Sequence, residues 1–270
     1  MHLATLASGS SGNAILVGDG EENFLVDCGI SAQKVLHSLS LLNIPAGQIH
    51  GIVITHEHID HIRGVGALAR RLKIPIFATA GLWEELSKGV GKLAPGQKVE
   101  VAGTFACAGL QVKMFATSHD SRESYGLRIE RSGEGKSPVI GIATDSGTIT
   151  EEMHRNLAGC DALVVEANHD KERLWQGSYP WYLKKRIASE VGHLENSQLA
   201  EGLIQWIGEN TQRVVLAHLS EENNTPELAL ATVLRILRES RVARLNPGLR
   251  LRVAPRHTPH ELIFLQESKE

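Results

Sequence analysis

The segment Thr55-His56-Glu57-His58-Ile59-Asp60-His61 is the most informative stretch of this sequence. It follows the apolar run Gly51-Ile52-Val53-Ile54, which has the composition of a short buried strand. After it, apolar residues recur with helical spacing from Ile62 to Leu72. The polar segment is therefore predicted to lie between the end of a strand and the start of a helix.

Four side chains of that segment, His56, His58, Asp60 and His61, are candidate metal ligands. Alternate residues of an extended chain point the same way, so His56 and His58 can bind one ion together. Asp60 and His61 come where the helix begins and turn toward a neighbouring point. Imidazole with carboxylate suits borderline divalent metals. A solvated loop with chance histidines is the alternative, and the joint pattern of strand, H-x-H-x-D-H and helix argues against it.

This segment resembles the signature of the metallo-β-lactamase superfamily. The resemblance implies an α/β fold, a four-layer αββα sandwich, formed by a single domain over residues 1–270. It also implies further ligands, in order a histidine, an aspartate and a last histidine, each at a strand end. His119, Asp145 and His218 fit these places, although a strand-end histidine or aspartate taken alone is often only a turn residue.

The resemblance therefore implies a site for two divalent ions, either zinc or manganese, with iron as a third candidate. One ion would be held by His56, His58 and His119, and the other by Asp60, His61 and His218. Asp145 would bridge the two. Ions in this arrangement lower the proton affinity of a shared water and supply a hydroxide nucleophile.

Other segments narrow the resemblance to the small YycJ/WalJ subgroup, with a more distant similarity to ribonuclease Z. These segments are Ser8-Gly9-Ser10-Ser11-Gly12-Asn13, Asp27-Cys28-Gly29, Glu166-Ala167-Asn168-His169-Asp170, Gly192-His193-Leu194-Glu195-Asn196 and the seven residues from His218 to Asn224. The subgroup is regarded as phosphodiesterase-like, with an exonuclease role. By similarity to ribonuclease Z, His193 would contact the phosphate or protonate the leaving oxygen.

His193 also precedes a predicted helix that Asn196 or Ser197 would cap. The free amides at such a helix start favour an anionic group. A surface position beside the helix is the alternative for His193. The predicted substrate contacts are Ser10, Asn13, His169, Asn196 and Asn223. Three of these have a plainer alternative: Asn13 fixes a loop, His169 ends a strand, and Asn223 braces the loop after His218.

We therefore predict a dinuclear metal-dependent hydrolase, a phosphodiesterase or nuclease acting on DNA or RNA. Asp60 would orient the hydroxide and His193 would act as general acid. One alternative is a hydrolase of a small cytosolic ester, such as a thioester or a cyclic phosphodiester. The other is a non-catalytic metal-binding regulatory protein, against which the full set of ligands argues.

Composition limits the remaining choices. The chain has 270 residues, 42% of them hydrophobic, which is enough for a buried core. A net charge of -3 argues against binding nucleic acid by charge alone. The one basic trio, Lys184-Lys185-Arg186, is predicted to spread over different faces of a helix.

The sequence has no apolar run of membrane-spanning length and no secretory signal, so no membrane partner is expected. Three cysteines without a C-x-x-C spacing predict buried thiols and a cytoplasmic location.

Overall fold

The computed structural model describes residues 1–133 and 137–267. Its strands are β1 (His2–Ala7), β2 (Ala14–Asp19), β3 (Glu22–Val26), β4 (Ile49–Val53), β5 (Ile76–Ala78), β6 (Lys98–Glu100), β7 (Thr104–Cys107), β8 (Leu110–Ala116), β9 (Tyr125–Arg131), β10 (Ile140–Ala143), β11 (Ala162–Glu166), β12 (Arg213–Ala217), β13 (Arg250–Val253) and β14 (Ile263–Phe264). Its α-helices are α1 (Ala32–Leu41), α2 (Ile59–Ile62), α3 (Val65–Leu72), α4 (Ala80–Leu86), α5 (Glu151–Leu157), α6 (Lys171–Gln176), α7 (Trp181–Ile187), α8 (Asn196–Trp206), α9 (Pro226–Glu239) and α10 (Val242–Leu245). In the described part of the chain, none of the helices is long and apolar enough to cross a bilayer.

The strands form two mixed sheets. The first has the order β14-β1-β2-β3-β4-β5-β6, and the second has the order β13-β12-β11-β10-β9-β8-β7. One core cluster joins the inner faces of both sheets, with Phe24 and Val53 from the first and Leu127 and Val164 from the second. Helices α1, α3 and α4 pack on the outer face of the first sheet, and α5, α8 and α9 pack on the outer face of the second. The predicted four-layer αββα sandwich is confirmed.

Local sequence signals set several helix starts. The Ser31 hydroxyl accepts a hydrogen bond from the backbone amide of Lys34 and caps α1. Thr150 caps α5 in the same way. Thr225 caps α9, whose first helical residue is Pro226. Because these caps satisfy amides that have no partner within the helix, they fix where each helix begins.

The predicted cap of α8 is wrong. Glu195 holds that position, in a capping box with Gln198, rather than Asn196 or Ser197. The side chain of Asn196 is hydrogen-bonded instead to Asn224. The predicted helical stretch from Ile62 to Leu72 is also interrupted, because α2 ends and α3 begins on either side of Gly64. A Cβ at Gly64 would lie 2.0 Å from the carbonyl oxygen of Ile30, so the chain must turn there without a side chain.

The sheet directions bring the polar strand ends to one edge. β10, β11 and β12 are mutually parallel, and β8 runs in the same direction because two antiparallel pairings separate it from β10. The segments after β8, β10 and β12 therefore leave the second sheet at a single edge. The segment after β4 meets that edge, since Tyr125 donates its backbone amide to the carbonyl of Thr55.

Candidate metal centre

The structure brings the seven predicted metal ligands together at this edge. His56, His58 and His119 form one group, and Asp60, His61 and His218 form another, with one ligand atom of each within 4.8 Å of the others in its group. A further group joins His56 and His61 to Asp145. The two groups therefore adjoin.

In the first group the tautomers are set by hydrogen bonds behind the rings. Thr55 donates its hydroxyl to Asp27 (2.7 Å), so it accepts from Nδ1 of His56 (3.1 Å). Nδ1 of His119 donates to the carbonyl of Gly192 (2.9 Å). Both rings thus keep an unprotonated Nε2 on the side of the cluster. The Nε2 of His119 lies 3.2 Å from Nδ1 of His58.

The second group is held by two buried carboxylates. Nδ1 of His61 donates to Asp27 (2.7 Å), and Nδ1 of His218 donates to Glu166 (2.9 Å). The Nε2 atoms of the two rings then face Asp60, whose Oδ2 lies 3.7 Å from His61 and 3.4 Å from His218. Histidines that bind metal characteristically donate their other nitrogen in this way.

Asp145 lies between the two groups. Its Oδ2 is 3.2 Å from Nε2 of His61, and its Oδ1 is 3.8 Å from Nε2 of His119. Burial alone would raise the pKa of Asp145, but His218 and His61 hold it well below the ordinary value. Its Oδ1 also lies 3.3 Å from Nδ1 of His218, so the carboxylate is close to both groups, as a bridging ligand must be.

The residues fit a pair of divalent ions. The Nε2 of His56 is buried and has no hydrogen-bond partner among the described residues. A buried polar atom without a partner costs free energy, and a bound cation would satisfy it. Burial, and then the charge of His61, lowers the pKa of His56 well below its usual value, so the imidazole is neutral and can donate its lone pair. Burial would also lower the pKa of His218, yet Asp145 and neighbouring carboxylates raise it to about 10. The carboxylates around His218 therefore give the site an excess of negative charge, which favours bound cations.

Three residues of this site bend the backbone unusually. Asp27, Asp145 and His218 have φ values of 60°, 60° and 55°, which is the left-handed region that side chains seldom adopt. Each lies within two residues of a strand end, after β3, β10 and β12 respectively. Residues in such conformations cluster at functional sites. The bend at each strand end turns the side chain back toward the sheet edge.

Sequence reasoning missed Asp27 as a functional residue. Its Oδ2 accepts from both the hydroxyl of Thr55 and Nδ1 of His61, and its Oδ1 accepts from the backbone amide of Thr55. It therefore orients His61 directly and His56 through Thr55. The available signal was an aspartate immediately after the buried strand β3.

Glu166 was also missed. It is fully buried at the end of β11, and its Oε1 accepts from Nδ1 of His193 (2.7 Å) and of His218 (2.9 Å). Its Oε2 accepts from the backbone amides of Ser146 and Leu194. Glu166 can be grouped with Asp145, His193 and His218 as a metal ligand. Because both of its oxygens are already hydrogen-bonded, we assign it to orienting the two histidines.

The comparisons with known proteins agree with this geometry. Residues 22–219 match the family model described as a beta-lactamase superfamily domain. Over 243 residues the chain is 37% identical to the exodeoxyribonuclease YycJ of Bacillus anthracis, covering 88% of this chain and 90% of that protein. It is 38% identical to the exodeoxyribonuclease WalJ of Streptococcus pneumoniae over 239 residues, covering 87% of each. This chain belongs to the β-lactamase superfamily.

Within the superfamily it groups with YycJ and WalJ, as the sequence segments predicted. The weaker similarity to ribonuclease Z is present too, at 24% identity to the Bradyrhizobium diazoefficiens protein over 304 residues, 85% of this chain and 90% of that one. A crystal structure of the metallo-β-lactamase fold protein YhfI from Bacillus subtilis superposes with a TM-score of 0.68 at 15% identity, covering 96% and 99% of the two chains. That likeness supports the fold alone.

Among the predicted substrate contacts, Asn13 fixes its loop and also faces the cluster, and its contact with substrate stays a prediction. Its Oδ1 accepts from the amide of Gly9 (2.7 Å), which fixes the loop between β1 and β2. Its Nδ2 lies 3.0 Å from Nε2 of His61 and 3.4 Å from Oδ2 of Asp60, so it also faces the cluster. Ser10 is exposed on the same loop, and its contact with substrate stays a prediction.

The other three predicted substrate contacts are buried. Asn196 exchanges reciprocal side-chain hydrogen bonds with Asn224 (3.1 and 2.9 Å), which assigns it to bracing rather than to substrate. Asn223 donates to the hydroxyl of Ser220 and braces the loop after His218. Burial lowers the pKa of His169 to about 4, so its ring is neutral. The carbonyl of His169 accepts from the amide of Asn196, and a substrate role for its ring stays a prediction.

Proposed function

We propose that this chain is a dinuclear phosphodiesterase that hydrolyses DNA, removing nucleotides from a strand end. It is a metal-dependent hydrolase of the nuclease and phosphodiesterase class. The observation that carries the finer proposal is the Glu166–His193 pair, which sets an acid beside the seven-ligand cluster. The names of YycJ and WalJ, both exodeoxyribonucleases, support DNA as the substrate.

The division of roles follows from the positions of the side chains. Two ions held by the seven ligands would neutralise the phosphate and activate a water molecule for attack. Asp60 is partly exposed, so its carboxylate can accept a hydrogen bond from the attacking water. Asn13 holds that carboxylate in place.

We assign His193 to protonating the leaving group. Burial lowers its pKa, but the carboxylate of Glu166 more than offsets this and raises the pKa above its ordinary value. Glu166 therefore favours the protonated imidazole, with Nδ1 bound to its carboxylate and Nε2 available. As the phosphorus–oxygen bond breaks, Nε2 would give its proton to the leaving oxygen, while the oxygen of water forms the new bond to phosphorus.

The substitution His193→Ala tests this role through the choice of leaving group. We expect hydrolysis of an oligonucleotide, whose leaving oxygen needs a proton, to fall by about 10²- to 10⁴-fold in kcat. Hydrolysis of bis(p-nitrophenyl) phosphate should fall far less, because p-nitrophenolate leaves readily as an anion. The exposed His257→Ala is the matched control. Equal losses on both substrates, or loss of bound metal, would rule out His193 as the acid.

A panel of single-stranded DNA, RNA, bis(p-nitrophenyl) phosphate and a glutathione thioester tests the substrate class. We expect cleavage of both DNA and the small diester. Hydrolysis of the thioester alone would support the small-ester alternative instead. Histidine-rich ligands favour zinc and the carboxylates also accept manganese or iron, so each metal is loaded separately.

We place the protein in the cytoplasm, since the three free cysteines suit a reducing compartment.

A further inference from the structure

An exposed aromatic cluster lies on α6 and α7. Trp181 is 62% exposed and Tyr182 is 75% exposed, and Trp175 is 37% exposed. The rings of Trp175 and Trp181 are in contact, with centroids 5.2 Å apart. The Nζ of Lys185 lies 5.4 Å from the centroid of the Trp181 ring. Exposed large apolar groups gathered in one place mark a binding surface more often than scattered ones do.

The cluster is held rigidly. The side chain of Lys184 is buried, and its Nζ donates to the backbone carbonyls of Trp175 (2.8 Å) and Gly177 (2.7 Å). A lysine from α7 therefore ties down the end of α6, and the two tryptophans are presented together. The predicted spreading of the basic trio over different faces is confirmed, since Lys184 points inward while Lys185 and Arg186 do not.

The same helix reaches the metal site at its other end. Nε of Arg186 lies 2.5 Å from Oδ2 of Asp120, and Oδ1 of Asp120 lies 4.0 Å from Nε2 of His58. Tyr182 and Arg186 are four residues apart and so share one face of α7. At 1.5 Å per residue, Trp181 and Arg186 are about 7.5 Å apart along the axis. The aromatic cluster is thus continuous with the edge of the candidate centre.

The charge of this segment favours a polyanionic ligand. Between residues 171 and 187 there are five basic residues and one acidic residue, in a chain whose net charge is -3. Lys184 is buried and Arg186 is paired with Asp120, which leaves Lys171, Arg173 and Lys185 exposed. An overall negative protein needs a means of holding a polyanion besides net charge. Aromatic rings provide it, because every base has a face that stacks on them, and nearby cations attract the backbone. Tryptophan and tyrosine give this area at a small cost in side-chain entropy.

We infer that Trp175, Trp181 and Tyr182 form an aromatic platform on which bases of single-stranded DNA stack beside the scissile phosphate. The inference rests on the proposed function and extends it, because it assigns the unpaired strand as the substrate form. A protein partner is the competing occupant, and the experiment separates the two.

The test uses the full-length, metal-loaded double variant Trp181→Ala/Tyr182→Ala. We expect its KM for a single-stranded oligonucleotide to rise roughly 5- to 100-fold, with kcat little changed, since stacking of one base contributes on that scale. Hydrolysis of bis(p-nitrophenyl) phosphate, which carries no base, should stay within about twofold. The double variant Trp181→Phe/Tyr182→Phe keeps two rings and should recover most of the affinity. Phe264→Ala is the control. Phe264 is exposed on β14, where it pairs with His2 at the start of β1.

An oligonucleotide of equal length with abasic sites identifies the interaction. The wild-type enzyme should bind it more weakly than the base-bearing strand, whereas the double alanine variant should bind both alike. An unchanged KM in that variant, or an equal loss on both strands, would overturn the platform. A change from dimer to monomer in the variant, with DNA cleavage intact, would assign the surface to a protein contact. If the wild-type protein cleaves neither DNA nor the small diester, it is the proposed function that fails.

Discussion

At the scale of single residues, the site depends on carboxylates that orient histidines. Asp27 accepts from Nδ1 of His61 and from the hydroxyl of Thr55, which in turn accepts from His56. Glu166 accepts from His193 and His218. The two buried acids therefore decide which nitrogen of four histidines faces the cluster. In the proposed function, the pair on Asp27 serves metal binding, and the pair on Glu166 links metal binding to proton transfer.

Replacing Asp27 tests the first of these roles. Asp27→Asn removes the charge that keeps the proton of His61 on Nδ1. We expect metal affinity to fall about 10- to 100-fold, the usual cost of losing such support, while the fold persists. Competition with a chelator measures the affinity. Asp170→Asn is the matched control, because asparagine can still cap α6. Unchanged affinity in Asp27→Asn would show that the tautomer is fixed by other contacts.

The sequence predicted the seven ligands but not the two supporting acids, for a physical reason. The ligands stand at strand ends in a spacing that a known family shares. Asp27 and Glu166 also follow or end buried strands, but their roles consist of hydrogen bonds to partners 20 to 52 residues away. Those partners are defined only once the sheets are assembled. The prediction that Asn196 caps α8 was wrong for the same reason, since its partner Asn224 is remote in sequence.

At the scale of elements, the loops that carry the ligands pack with almost no space between them. A Cβ at Gly29 would lie 1.6 Å from the carbonyl oxygen of Asp60 and 2.8 Å from the amide nitrogen of Asn13. Asp60 is a candidate ligand of the second group, and the side chain of Asn13 faces that group from the loop between β1 and β2. The amide of Asn13 donates to the carbonyl of Asp60 (2.8 Å) across this contact. Gly29 therefore sets how closely the three loops approach.

Gly29→Ala should force the loops apart. We expect the free energy of unfolding to fall by about 3 kcal/mol or more, because the obstacle is backbone and cannot rotate away. Bound metal should fall with it. Gly47→Ala provides the comparison, since a Cβ there meets nothing within 4 Å, and its effect should stay within about 0.5 kcal/mol. Urea denaturation of both variants measures the difference, and equal stabilities would contradict the close approach.

Local patterns predict an element best where it is buried on one face. The apolar run from Gly51 to Ile54 located the strand β4. β6 carries no such signal, because its three residues are exposed or half-buried. Apolar periodicity predicted one helical stretch from Ile62 to Leu72. It joined α2 to α3, because the break at Gly64 is required by packing against Ile30 rather than by local propensity.

At the scale of the whole molecule, the two sheets are joined by an ion pair as well as by their core. Arg131 on β9 contacts Asp19 at the end of β2, with Nη2 of the arginine 2.8 Å from Oδ1 of the carboxylate. The amino terminus lies 3.2 Å from the same oxygen. The hydrogen bonds from Arg131 lower the pKa of Asp19 from 3.8 to about 2. Both side chains are partly exposed, so the pair contributes at most about 1 kcal/mol.

The pH dependence of Asp19→Asn follows from that shift. A pKa lowered in the folded state gives stability that is complete above 3.8 and is lost as pH falls toward 2. The wild type should therefore be more stable than the variant by about 0.5 to 1 kcal/mol at pH 7. The difference should shrink on acidification from pH 4 to pH 3. Thermal unfolding of both proteins across this range measures it, and a difference that grew on acidification would exclude the pair.

The four-layer architecture was predictable only through the family resemblance. Periodicity gives strands and helices, but the pairing of β4 with β3 and β5, or of β10 with β11, depends on contacts between distant segments. The H-x-H-x-D-H segment supplied that missing information because it belongs to one fold. What the segment leaves open is the substrate, since the same ligands would activate water against any ester.

The central claim is that seven side chains hold two ions at the edge of the sandwich. A crystal structure of the metal-loaded protein, with anomalous scattering recorded at the absorption edge of the metal, tests it most directly. The account predicts two peaks per chain, one bonded to His56, His58 and His119 and the other to Asp60, His61 and His218, with Asp145 bonded to both. A single peak, or an ion bonded to Glu166 in place of Asp145, would contradict it.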